Sequence, residues 1–204
     1  MQPFLSAAQV TFHRHNERVF HPVNLTLSSG EIALITGENG SGKTTLIRML
    51  SGIVAPSEGQ IDCSCIRSFI GHEPAVKSEL SCIENLAFFQ RFYPQSHGHM
   101  RHPILDALKR VGLGHRMHHL AGQLSAGQRR RLGLARLLVA PSDVWLLDEP
   151  YTSLDASGCE WVDQLLADHL TSGGAAIVTA HHRQPKLPMT AHALPITAWE
   201  PALT

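Results

Sequence analysis

Thr36 to Leu46 reads T-G-E-N-G-S-G-K-T-T-L, and its middle, Gly37 to Thr44, fits the pattern G-x-x-x-x-G-K-[ST]. The flanks match what that pattern requires. EIALIT, residues 31–36, is a nearly continuous apolar run, as expected of a strand covered on both faces. TTLIRMLSGI follows, with Leu46, Ile47 and Leu50 at helical spacing. Strand, glycine-rich loop and helix in this order predict a P-loop on an α/β core.

Each residue type in the loop has a chemical reason. Gly37, Gly40 and Gly42, with Glu38, Asn39 and Ser41 between them, let backbone N–H groups turn inward around phosphate oxygens. The start of the helix at Lys43, Thr44 and Thr45 adds a favourable partial charge. Lys43 is expected to reach the β- and γ-phosphates, and the Thr44 hydroxyl is a hard oxygen ligand for Mg2+.

A second element, VWLLDEP, spans residues 144–150. Four apolar residues carry Asp148 to the end of a buried strand, where it is expected to hold Mg2+ through water. Glu149 follows at the mouth of the site, placed to orient and deprotonate the water that attacks the γ-phosphorus.

AAIVTA is a third apolar strand, so the two ends of the chain share an α/β texture that argues for a parallel sheet. Between them the texture changes. SCIENLAFFQRF and HPILDALKRVGL read as amphipathic helices joined by a polar linker, residues 93–102. At 204 residues one domain is expected, with a core of about 1–73 and 131–204 and a helical subdomain inserted at about 74–130.

Composition weakens several classes of function. Lys+Arg and Asp+Glu number 17 each, so no global basic field attracts nucleic acid. No run reaches membrane-spanning length, and the first residues show neither the basic nor the apolar region of a secretory signal. A membrane role would therefore require a membrane part supplied by another chain.

P-loops serve many enzymes, and QLSAGQRRRLGLARLL, residues 123–138, separates them. Ser125 to Gln128 has the S-x-x-Q form of a capping box, so a helix is expected to start there. An exposed helix start with a serine hydroxyl and a glycine is also a second anion site. One chain does not need two γ-phosphate sites, whereas two chains sharing them head-to-tail do.

The order P-loop, LSAGQ, VWLLDEP, SLD, then His resembles the ATP-binding-cassette ATPases along nearly the whole chain. The resemblance implies ATP and Mg2+ as ligands, and a RecA-like core with an antiparallel strand subdomain and an inserted helical subdomain. It also implies a sandwich of two copies, in which Ser125 and Gly127, with Gln128 beside them, meet the γ-phosphate held by the partner's lysine. Asp155, in SLD, belongs to the loop that crosses that interface. His181, in IVTAH, matches the family's switch histidine, with His182 the weaker match.

Two positions depart from the family. Glu73, in IGHEP, stands where glutamine is expected; it still offers an oxygen to Mg2+ but adds negative charge near the γ-phosphate. For the adenine-stacking aromatic, Phe12 is the best candidate, with His13 and Arg14 as alternatives.

Cassette ATPases acting on DNA carry a long coiled coil between P-loop and signature, and translation-acting relatives carry two cassettes. Thr44 to Leu124 holds only a short helical insertion, and there is one cassette. A transporter subunit is the leading expectation, with a lipid or drug exporter or a nucleic-acid-linked ATPase as alternatives. TGENGSGKTTL, IGHEPAVKSELSCIENLAFF and SAGQRRRLGLARLLVAPSDVWLLDEPYTSLD together resemble the ATP-binding subunits of cytochrome c maturation. That implies a peripheral protein on the cytoplasmic side of the inner membrane. Its partners would be an integral-membrane permease, other maturation proteins and a second copy of itself, in a system that handles haem. The cluster His97, His99, His102, His115, His118 and His119 reads as a solvated linker and helix end, and no haem-attachment C-x-x-C-H occurs.

Overall fold

The three apolar runs that dominate the sequence lie side by side in a computed structural model that describes residues 2–92, 103–140, 142–180, 183–187 and 191–199. In chain order the elements are β1 (Leu5–Thr11), β2 (His13–Arg14), β3 (Glu17–Arg18), β4 (Val23–Leu27), β5 (Ile32–Thr36), α1 (Lys43–Leu50), β6 (Glu58–Cys63) and β7 (Arg67–Ile70). There follow α2 (Cys82–Gln90), α3 (Ile104–Arg110), α4 (Ala126–Val139), β8 (Val144–Asp148), α5 (Ala156–Thr171), β9 (Ala175–Thr179) and β10 (His192–Pro195).

A five-stranded sheet has the order β10-β5-β9-β8-β7. β5 pairs parallel with both β9 and β10, and β8 pairs parallel with β9. Every residue of β8 and β9 is buried, which is why these strands read as unbroken apolar runs rather than alternating ones. A second sheet, β4-β1-β6, is antiparallel. β2 and β3 form a two-residue hairpin whose turn residues, His15 and Asn16, have φ of 51° and 66°. Positive φ at both turn positions marks the primed turn that matches strand twist.

The described residues fall into two compact units. One comprises Met1–Phe69, Asp143–Glu149 and Asp163–Thr204; the other comprises Ile70–Ser142 and Pro150–Val162. In the first, Leu46, Ile47, Met49 and Leu50 of α1 are buried in a core that also contains Leu5, Phe20, Leu27, Ile35 and Ile177. Truncating any one of these large side chains to alanine would cost about 2–5 kcal/mol through lost transfer energy and a cavity. In the second unit, Cys82, Leu86, Leu108, Leu132 and Ala135 are buried on α2, α3 and α4.

The sequence reading contains no strand beyond AAIVTA, yet β10 adds to the open edge of β5 and is followed by a bridge between Phe20 and Ala198. Its four residues, HALP, are mostly exposed and end in proline, so they carry no apolar periodicity to read.

Candidate nucleotide site

In the first unit, three adjacent parallel strands end at one level: Ile35 is in register with Thr179, and Thr179 with Asp148. Ligands of open parallel sheets bind beyond such carboxyl ends. The loop after β5 begins there and feeds α1. Gly42 is the N-cap of α1, with φ 98°, and a Cβ at that position would sit 2.5 Å from Phe20 Cδ1. The position therefore requires glycine, which brings no side chain to cap the first-turn amides. Those N–H groups and the helix dipole suit an anion.

Lys43 is buried, and its Nζ donates to the carbonyls of Gly37 and Glu38, both at 2.8 Å. Ser41 is buried too, and its Oγ has no hydrogen-bond partner. Glu38, Asn39 and Gly40 form the exposed rim of the loop, and Thr45 is half-buried on the first turn of α1. The Thr44 hydroxyl is 3.5 Å from Asp148 Oδ1, and Asp148 is 1% exposed. Glu149 follows, half-buried, with φ 50°.

These groups fit a Mg2+-nucleotide. An orphaned buried hydroxyl, an ammonium and uncapped amides suit phosphate oxygens. Thr44 and Asp148 are the hard, adjacent oxygen donors that Mg2+ takes.

Sequence reasoning missed Thr179 here. Its buried Oγ1 donates to Asp148 Oδ1 at 2.7 Å and accepts from the Glu149 N–H at 2.9 Å. The available signal was a hydroxyl at the end of an otherwise apolar strand.

At the hairpin, Phe12 packs half-buried against the core. His13 lines a cavity of about 360 Å3 with Asn16, Glu17, Arg18 and Trp199, and Arg14 is exposed. The Arg18 guanidinium lies 5.0 Å over the Trp199 ring and is 2.8 Å from Glu58. His181, His182, His97, His99 and His102 lie outside the described residues.

In the second unit, Ser125 is the N-cap of α4. Its hydroxyl accepts from the Gln128 N–H while the Gln128 side chain accepts from the Ser125 N–H, the capping box expected from S-x-x-Q. Ser125, Gly127, Gln128, Arg131, Ser153 and Asp155 border a cavity of about 400 Å3. A Cβ on Gly127 would sit 2.7 Å from the Ser153 carbonyl oxygen, so this glycine permits a close backbone approach. The Asp155 carboxylate accepts from Gly158 N–H, Ser157 and Arg131. Those bonds, the Gly158 amide foremost, hold its pKa below the usual range.

The basic run resolves into separate tasks. Arg129 binds the Leu124 carbonyl, and Arg131 binds Asp155 and Ser157. Arg130 is 2% exposed and donates to the carbonyls of Gly71, His72 and Pro150. Sequence reasoning also missed this tie, which fixes the loop carrying the exposed Glu73.

A model of the ABC transporter family matches residues 20–152. A cytochrome c biogenesis ATP-binding export protein of Xanthomonas axonopodis pv. citri is 42% identical over 189 residues, 88% of this chain and 87% of its own. The protein of that name from Pseudomonas syringae pv. syringae is 37% identical over 97% of both chains. Among solved structures, the ATP-binding subunit of an ABC transporter superposes with a TM-score of 0.77 at 21% identity, covering 88% of this chain and 80% of that one. A dimeric, post-hydrolysis ATP-binding cassette bound to ADP and Pi superposes with a TM-score of 0.76 at 25% identity, covering 87% and 88%.

Proposed function

The chain belongs to the ABC transporter family, and from that membership we propose that it is the ATP-hydrolysing subunit of a membrane export complex that serves cytochrome c biogenesis. The observation that carries the ATPase reading is the meeting of Lys43, Thr44, Asp148 and Glu149 at level strand ends. The export role is supported by relatives that share the name cytochrome c biogenesis ATP-binding export protein over most of their length.

In this reading the Gly37–Thr45 loop and Lys43 bind the phosphates of ATP, and Thr44 and Asp148 hold Mg2+, with Glu73 contributing an oxygen. When bound, Mg2+ neutralises charge on the β- and γ-phosphate oxygens. Glu149 orients the attacking water and accepts its proton, and His181 contacts the γ-phosphate. The adenine lies at the hairpin, against Phe12, with His13 and Arg14 as the alternatives.

Ser125, Gly127, Gln128 and Asp155 close the site of a second copy, a role supported by their place at the border of an open cavity. The whole chain then acts as one nucleotide-binding domain with an inserted helical part. No helix among the described residues is long and apolar enough to cross a membrane. From the relatives' names as export proteins, the chain is placed peripherally on the cytoplasmic side of the inner membrane, docked on a permease of the haem-handling maturation system.

Glu149→Gln tests the catalytic part. It should bind ATP normally while phosphate release falls by about 10²–10⁴-fold. Purifying the chain from membranes tests the rest. Recovery without any multispanning partner, or turnover stimulated by nucleic acid, would remove the export reading.

A further inference from the structure

Thr179 is the last residue of β9 and is 0% exposed. The four residues before it, Ala175 to Val178, are apolar and equally buried, so valine would fill the same space without a polar atom. A hydroxyl at such depth costs free energy unless its hydrogen-bonding capacity is used. Here both roles are used: it donates to Asp148 Oδ1 at 2.7 Å and accepts from the Glu149 amide at 2.9 Å.

Two further facts give these bonds a direction. Asp148 Oδ1 also faces the Thr44 hydroxyl, but at 3.5 Å, so Thr179 is the nearer and stronger of the two donors. Of these two hydroxyls, Thr179 thus holds Oδ1 from the sheet side more tightly than Thr44 does. Glu149 has φ 50°, a left-handed conformation that non-glycine residues adopt only when their surroundings impose it. Its amide is held by Thr179, so the same oxygen that aims Asp148 fixes the turn from which the Glu149 side chain departs.

We propose that Thr179 is a positioning residue of the ATPase site, whose single hydroxyl sets the Asp148 carboxylate and the Glu149 backbone together. The proposal rests on the roles given to Asp148 and Glu149 above. Thr179 touches no reacting atom; it acts through those two residues.

The test compares Thr179→Val and Thr179→Ser in the full chain. ATP turnover is followed against ATP and against Mg2+, Mn2+ binding in the presence of ATP is read by electron paramagnetic resonance, and folding is read by circular dichroism. Thr179→Val should lose about 10–100-fold in kcat or in cation affinity, as groups that orient metal ligands do, with little change in KM for ATP. Thr179→Ser, which keeps the hydroxyl, should restore most of it. Should Thr179→Val not fold, Thr179→Ala against Thr179→Ser asks the same question.

Wild-type kcat and cation affinity without the hydroxyl would overturn the proposal. So would equal losses in the serine and valine variants, which would mark a packing role only. Asp148→Asn and Glu149→Gln are run in parallel. If those two kept full turnover, the assignment of the carboxylates would fail, independently of what Thr179 does.

Discussion

Arg130 Nη1 lies 2.7 Å from the carbonyl oxygen of Gly71, and the guanidinium carrying it is almost completely buried. The same nitrogen reaches the His72 carbonyl at 3.0 Å, and Nε reaches that of Pro150 at 3.2 Å. One side chain on α4 thus ties down the segment preceding Glu73 and the start of the turn after β8. Replacing it by methionine keeps the volume but removes this donor from the Pro150 carbonyl, which is buried, and from the part-buried carbonyls of Gly71 and His72. The expected loss is about 2–4 kcal/mol, read as a lower urea midpoint, since each orphaned buried polar group costs about 1–3 kcal/mol. An unchanged midpoint would mean that water replaces the guanidinium.

Gly127→Ala places a methyl 2.7 Å from the Ser153 carbonyl, so the Ser153–Asp155 segment must give way. Overpacking of this kind costs about 1–3 kcal/mol. The larger effect is expected on turnover, because the displaced segment borders the cavity assigned to the second copy's nucleotide. Measured ATPase should fall while ATP binding to the P-loop persists. Loss of ATP binding would contradict the separation of the two roles.

Glu73→Gln removes a negative charge from the position where the family carries glutamine. If Glu73 supplies an oxygen to Mg2+ as proposed, turnover and its Mg2+ dependence should both shift, because removing a carboxylate changes the local charge. Steady-state ATPase against Mg2+ concentration reads this directly. Superimposable curves for the two proteins would place Glu73 outside the site.

Two helix starts make stability sensitive to acid. Glu84, bonded to the Ser81 hydroxyl and amide, and Asp155, bonded first to the Gly158 amide, both have pKa values held below their ordinary 4.5 and 3.8. A depressed folded-state pKa means that the unfolded chain binds protons first as pH falls. The stabilisation is therefore complete at neutral pH and is lost below those ordinary values, as pH drops through the folded ones. Thermal melts between pH 7 and 3 should fall less steeply for a Glu84→Gln, Asp155→Asn protein than for the parent. Parallel slopes would show that these caps do not contribute.

The central strands and the P-loop were legible because burial on both faces writes itself as unbroken apolar runs, IALIT, VWLLD and AAIVT. Asp148 and Ser125 were legible because a polar residue at the end of such a run, or three residues before a glutamine, has few other uses. Arg130 was not, since by charge it matches Arg129 and Arg131, and only helical phase and tertiary packing select which one is buried. Thr179 hid for the opposite reason. A β-branched residue in an apolar strand looks like packing until the hydroxyl is located. β10 gave no periodic signal, and its pairing with β5 depends on an edge that only the folded sheet creates.

The bonds from Lys43 to the Gly37 and Glu38 carbonyls brace the loop from within. A loop braced by its own ammonium is shaped during folding, so the entropy of ordering it is met before any guest arrives. Nucleotide binding then needs little induced rearrangement, and shortening the guest's phosphate chain removes contacts without collapsing the cradle. The protein should consequently discriminate between nucleoside di- and triphosphates through the contacts that Lys43 and the groups closing over the terminal phosphate make with it, while the mould keeps its shape for both.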